Sequence, residues 1–146
     1  MNREISRDGA EEVRTRVLIV DDEPLIRWSV ASTLGDAGYE VFEAASATEA
    51  REQALDAPRL DFALLDVRLP DSDGLTLMRA IHELHPECRF LMMTAFRTPE
   101  LTEDAEADDV PVLDKPFSLP DLVQHVAALL VEDPSRRRYT LANRSH

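Results

Sequence analysis

Phe62-Ala63-Leu64-Leu65-Asp66-Val67-Arg68-Leu69-Pro70-Asp71-Ser72-Asp73-Gly74 is the stretch that decides the fold. Four uninterrupted apolar residues do not alternate as a half-exposed strand does; they fit a strand covered on both faces, which is the habit of parallel sheets. The run stops at a carboxylate and passes into turn-forming Pro, Asp, Ser and Gly. Val17-Leu18-Ile19-Val20 and Phe90-Leu91-Met92-Met93 read the same way. The remaining two apolar runs look like edges. Tyr39 to Phe42 is flanked and interrupted by Glu40 and Glu43, and Val110 to Leu113 contains Pro111, which has no N–H for a ladder.

Between and after these five runs lie helix-length segments with start signals: Pro24 after an acidic pair, Ser46 with Glu49 as a capping box, Thr98-Pro99, and Ser118 before Leu119. Leu119, Leu122, Val123, Val126 and Leu130 form a stripe at helical spacing. Repeated strand and helix predict an α/β fold with a doubly wound parallel sheet and right-handed crossovers. Runs two and five at the edges give the flavodoxin-like (βα)5 order 2-1-3-4-5. In that order ligands bind beyond the carboxyl ends of the strands, so functional residues should follow the apolar runs.

Composition narrows the function. A chain of 146 residues, 44% hydrophobic and 31% charged, suits one soluble globular domain. Its segments are expected to be a mobile N-terminal arm over 1–15, one domain over 16–132, and a basic tail over 133–146. No apolar stretch predicts a membrane segment or signal peptide, which gives cytoplasmic as the expected location. The formal net charge of −13, with Arg136, Arg137, Arg138 and Arg144 gathered in the tail, argues against a nucleic-acid surface on the body. No helix-turn-helix pattern follows the domain, so no DNA-binding domain is expected. Cys88 stands alone and predicts neither a disulfide nor a thiolate metal site. Fifteen arginines accompany a single lysine, Lys115.

That lysine follows the fifth run, as Asp21 and Asp22 follow the first, Asp66 the third and Thr94 the fourth. The predicted topology brings all five to one rim of the sheet. Three carboxylates there would raise one another's proton affinity unless a cation or a basic group shared the space, and Mg2+ is the natural candidate. A carboxylate beside such an ion, with an ammonium and a hydroxyl nearby, is equipped for in-line attack on a phosphoryl donor.

Asp21-Asp22-Glu23-Pro24, Leu65-Asp66 through Gly74, Met93-Thr94-Ala95 and Lys115-Pro116-Phe117 resemble the motifs of response-regulator receiver domains of bacterial two-component signalling, over about residues 15 to 132. The resemblance implies that Asp66 is the phosphoacceptor. It implies direct Mg2+ ligation by Asp22, Asp66 and the backbone carbonyl of Arg68, with Asp21 acting through a coordinated water. Thr94 and Lys115 are implied to meet phosphoryl oxygens, Lys115–Pro116 to be cis, and Pro70 and Gly74 to shape the loop after the acceptor. The implied partners are a sensor histidine kinase or histidine phosphotransfer domain as donor and a downstream protein target, in a stand-alone receiver or relay.

Other readings compete. A haloacid-dehalogenase-like phosphatase wants an acid where Arg68 stands, and a flavin site wants a phosphate-cradling loop where Asp21 and Asp22 stand. A phosphorylation-independent docking receiver keeps the fold and abandons the chemistry. Val112 occupies a position where receivers commonly carry Tyr or Phe, and no Gly precedes the fifth run, so the read-out is expected to be unusual. The segment from Pro99 to Asp109, with Leu101 as its one large apolar residue, is expected to form a thinly anchored helix. Phe96 is expected to shield the site, Trp28 to pack, and His82, His85 and His125 to be surface or packing residues.

Overall fold

The computed structural model describes residues 13–131. Five parallel strands are interleaved with five helices there: β1 Arg16–Val20, α1 Pro24–Asp36, β2 Glu40–Ala44, α2 Ala47–Asp56, β3 Phe62–Asp66, α3 Gly74–Leu84, β4 Arg89–Thr94, α4 Pro99–Ala107, β5 Val112–Asp114 and α5 Leu119–Leu130. The sheet order is β2-β1-β3-β4-β5, the flavodoxin-like order expected from the edge signals. Every strand pairing is parallel.

Alternation along the strands divides the core in two. Leu18, Val20, Ala63, Leu65, Phe90 and Met92 face α2, α3 and α4. Val17, Ile19, Phe62, Leu64, Leu91 and Met93 face α1 and α5. The continuous apolar runs are therefore strands with both faces covered, and β3 is buried along its whole length.

Helix starts follow the sequence signals. Ser46 Oγ accepts from Glu49 N, and Glu49 Oε1 accepts from Ala45 N, completing the capping box. Thr98 and Ser118 accept from Leu101 N and Asp121 N. On α5, Leu122, Val126 and Leu129 are the residues buried against the sheet.

Three details differ from expectation. Pro111 lies just before β5 rather than inside it; lacking an N–H it cannot donate, but its carbonyl accepts from Met92 N. Trp28 is 63% exposed, because the inward stripe of α1 runs through Ile26, Val30 and Leu34, and a residue two places from Ile26 points away. Arg14 and Thr15 are tied into the fold: the Arg14 guanidinium donates to the carbonyls of Gly38 and Tyr39, and Thr15 O accepts from Glu40 N. Most of the expected N-terminal arm, and the basic tail over 133–146, lie outside the described residues.

Candidate functional site

The site is built where β1, β3, β4 and β5 end. Asp21 follows β1 and is fully buried; its backbone N–H donates to Ala44 O, and its Oδ1 accepts from Glu23 N. Asp22, next in the chain, is exposed. Asp66 closes β3 at 7% exposure, and Thr94 closes β4 at 3%. Lys115 follows β5, its backbone N–H donating to Thr94 O, with Pro116 joined to it by a cis peptide bond.

These side chains meet. Lys115 Nζ donates to Asp21 Oδ2 at 2.7 Å and to Asp66 Oδ2 at 3.1 Å, with Glu23 Oε1 at 3.4 Å. Carboxylate oxygens of Asp21, Asp22 and Asp66 lie within 4.8 Å of one another. The Thr94 hydroxyl is engaged in its own loop, accepting from Phe96 N and donating to Phe96 O, each at 3.1 Å. Arg68 N donates to Asp66 Oδ1 at 3.3 Å, which sets the Arg68 backbone beside that carboxylate. A cleft of about 400 Å³ opens over these groups, lined by Asp22, Asp66, Arg68, Thr94, Phe96 and Lys115.

Electrostatics follow from the crowding. Burial raises the Asp66 carboxyl above its ordinary value and the Asp21 charge adds to the rise, while the Lys115 ammonium opposes it. Burial alone would depress Lys115, but its hydrogen bond to Asp21 and the charges of Asp66 and Asp21 outweigh that and raise it. Lys115 therefore stays an ammonium at neutral pH. A donor set made of carboxylate oxygens suits a hard, oxygen-seeking cation such as Mg2+ rather than a soft metal. Cys88 is buried, and desolvation pushes its thiol well up, which disfavours the thiolate.

The expected site residues are thus gathered at one rim. Arg68, two residues after Asp66, and Phe96, 68% exposed, both line the cleft. Two of the histidines set aside above lie elsewhere: His85 Nε2 is 2.7 Å from Ala54 O, and His125 Nδ1 is 2.8 Å from Asp121 O on its own helix. Sequence reasoning missed three supports. Arg27 donates to Asp21 O and to Glu43 Oε1, holding the acidic loop to β2. Arg97 spans from the loop after Thr94 to Val112 O and the Asp114 carboxylate. Asp71, at the tip of the loop after Asp66, bonds the start of α2. Each joins segments distant in the chain, and no local spacing announces such a contact.

A flavodoxin-like sheet whose strand ends collect paired acids, a buried aspartate, a hydroxyl and a lysine defines a receiver domain. The chain belongs to the response regulator receiver domain family, which it matches over residues 17–127. It is 32% identical over 117 residues to the response regulator receiver protein CpdR of Brucella abortus (strain 2308), covering 80% of this chain and 97% of CpdR. It is 36% identical over 121 residues to the sensor kinase CckA of the same organism, covering 78% of this chain but 12% of that protein. Among solved structures, a CheY-like response regulator receiver domain protein from Methanospirillum hungatei JF-1 has a TM-score of 0.76 and 30% identity, covering 81% of this chain and 94% of that one. Among the described residues no helix is long and apolar enough to cross a membrane.

Proposed function

We propose that Asp66 accepts a phosphoryl group from a phosphohistidine of a sensor kinase or phosphotransfer domain, and that the phosphorylated domain signals by binding another protein or by relay. The observation that carries this reading is a nearly buried carboxylate with an ammonium at 3.1 Å and two further carboxylates within 4.8 Å. A solvated turn aspartate has no need of either.

Asp22, Asp66 and the Arg68 carbonyl would hold Mg2+, with Asp21 supporting it through water. When bound, the ion supplies charge neutralisation for the phosphoryl oxygens. The chain's own residues do the rest. A lone pair on an Asp66 oxygen attacks phosphorus in line; the P–N bond to the donor imidazole breaks and its electron pair returns to the ring nitrogen. Lys115, already beside Asp66, turns to a phosphoryl oxygen and offsets the added charge. The Thr94 hydroxyl exchanges its bond to Phe96 O for another phosphoryl oxygen, which pulls on the loop that carries Arg97. Phe96 at the cleft mouth slows attack by water on the acyl phosphate. The domain is taken to span residues 16–132, acting in the cytoplasm.

Incubation with Mg2+ and acetyl phosphate, followed by intact mass spectrometry, tests this. Wild type should gain one phosphoryl group, and Asp66→Asn none. Equal uptake by the variant would overturn the assignment, and a wild type that gains no phosphoryl group would favour a docking role without phosphorylation.

A further inference from the structure

The segment after Asp66 is a small closed hairpin. Gly74 N donates to Val67 O at 2.8 Å, Leu69 N to Ser72 O at 3.1 Å, and Arg68 pairs antiparallel with Asp73. Its base is fixed twice: Val67 N donates to Met93 O in the sheet, and the Asp73 side chain caps α3 by accepting from Thr76 N. Its tip is fixed by Asp71. One carboxylate oxygen accepts from Ala47 N at 2.9 Å; the other accepts from Thr48 N at 2.9 Å and from Thr48 Oγ1 at 2.7 Å. Those N–H groups, with the Glu49 N–H taken by Ser46, are the first unpaired donors of α2. The negative charge also meets the positive end of the helix dipole.

Helix α2 already owns a local cap in Ser46 and Glu49. Asp71, 23 and 24 residues away, takes the Ala47 and Thr48 N–H groups that this cap leaves open, and in doing so it gives the hairpin tip its one anchor to a rigid element among the bonds described. Arg68 sits between that tip and Asp66. We infer that Asp71 is a positioning residue for the metal site: by bolting the hairpin to α2 it holds the Arg68 backbone where its carbonyl can serve as a ligand. This rests on the reading of Asp22, Asp66 and Arg68 as the ligand set. Groups that orient a ligand without touching the metal are commonly worth about 10–100-fold in affinity.

The test is Mg2+ affinity of the full chain by isothermal titration calorimetry, for wild type, Asp71→Ala, Asp71→Asn and Ser46→Ala, each with a melting temperature. Asp71→Ala should weaken Mg2+ binding roughly tenfold, at the lower end of the range for supporting groups, with Asp71→Asn between it and wild type. Ser46→Ala removes a cap from the same helix end without touching the hairpin, so it should lower the melting temperature and leave the affinity within about twofold. Unchanged affinity in Asp71→Ala, or an equal loss in Ser46→Ala, would overturn the inference. A wild type that binds Mg2+ without phosphorylation at Asp66 would overturn the acceptor reading alone, and the comparison of Asp71 with Ser46 would still decide the positioning role. A wild type that binds no Mg2+ would overturn both.

Discussion

At Gly74 an added methyl group would sit 2.5 Å from the Asp66 carbonyl oxygen and 3.0 Å from Met92 Sδ. Alanine is the better helix former by about 1 kcal/mol, but closing onto a backbone oxygen costs more than that preference returns. Gly74→Ala should therefore destabilise the fold by about 1–3 kcal/mol in urea unfolding and slow phosphoryl uptake, since the displaced atoms belong to the backbone of Asp66, the proposed acceptor. Asp71 gives a second residue-scale test. Its hydrogen bonds to Thr48 and Ala47 lower its carboxyl to about 2 from an ordinary 3.8. A depressed carboxyl stabilises the fold above the unfolded value and loses that contribution as pH falls through the folded one. The stability gap between wild type and Asp71→Asn should be constant above about pH 5 and shrink between about pH 4 and pH 2. A gap that persists unchanged to pH 2 would contradict these hydrogen bonds as its cause.

At the scale of elements, the end of α4 shows how the chain manages without glycine before β5. Asp109 adopts φ 55°, in the left-handed region, while Asp109 N donates to Glu106 O and Val110 N to Ala105 O. Aspartate is among the few non-glycine residues that tolerate this conformation at a helix end. Asp109→Ala should lower stability by about 1 kcal/mol, and Asp109→Gly should be tolerated far better, as thermal unfolding would report. Helix α4 buries Leu101 and Ala105 and is pinned at its far end by Arg79 to Asp108. The strands were legible because burial on both faces writes an unbroken apolar run, and the helix starts because caps are local. The exposed Trp28 was not, since its neighbours on α1 fix the inward stripe only once the sheet is in place. The β5 boundary was missed by two residues, because an apolar run does not distinguish a strand from the proline that leads into it.

For the whole molecule, the parallel sheet makes one rim out of strand ends that are as much as 94 residues apart. Asp21, Asp66, Thr94 and Lys115 were legible because topology alone carries the ends of β1, β3, β4 and β5 to that rim. The supports were not: Arg27, Asp71 and Arg97 are ordinary surface types, and their partners appear only after folding. Val112 is half-buried at the position where receivers commonly carry Tyr or Phe, and Arg97 links the Thr94 loop to β5 through Val112 O and Asp114. On the proposed reading, this rim directs phosphorylation to Asp66 and nothing else. Peptide mapping by mass spectrometry after acetyl phosphate treatment, in Mg2+ and in excess chelator, addresses it directly. One phosphorylated peptide is expected, modified at Asp66 and absent in chelator; phosphate on another residue, or equal labelling without the metal, would contradict the assignment.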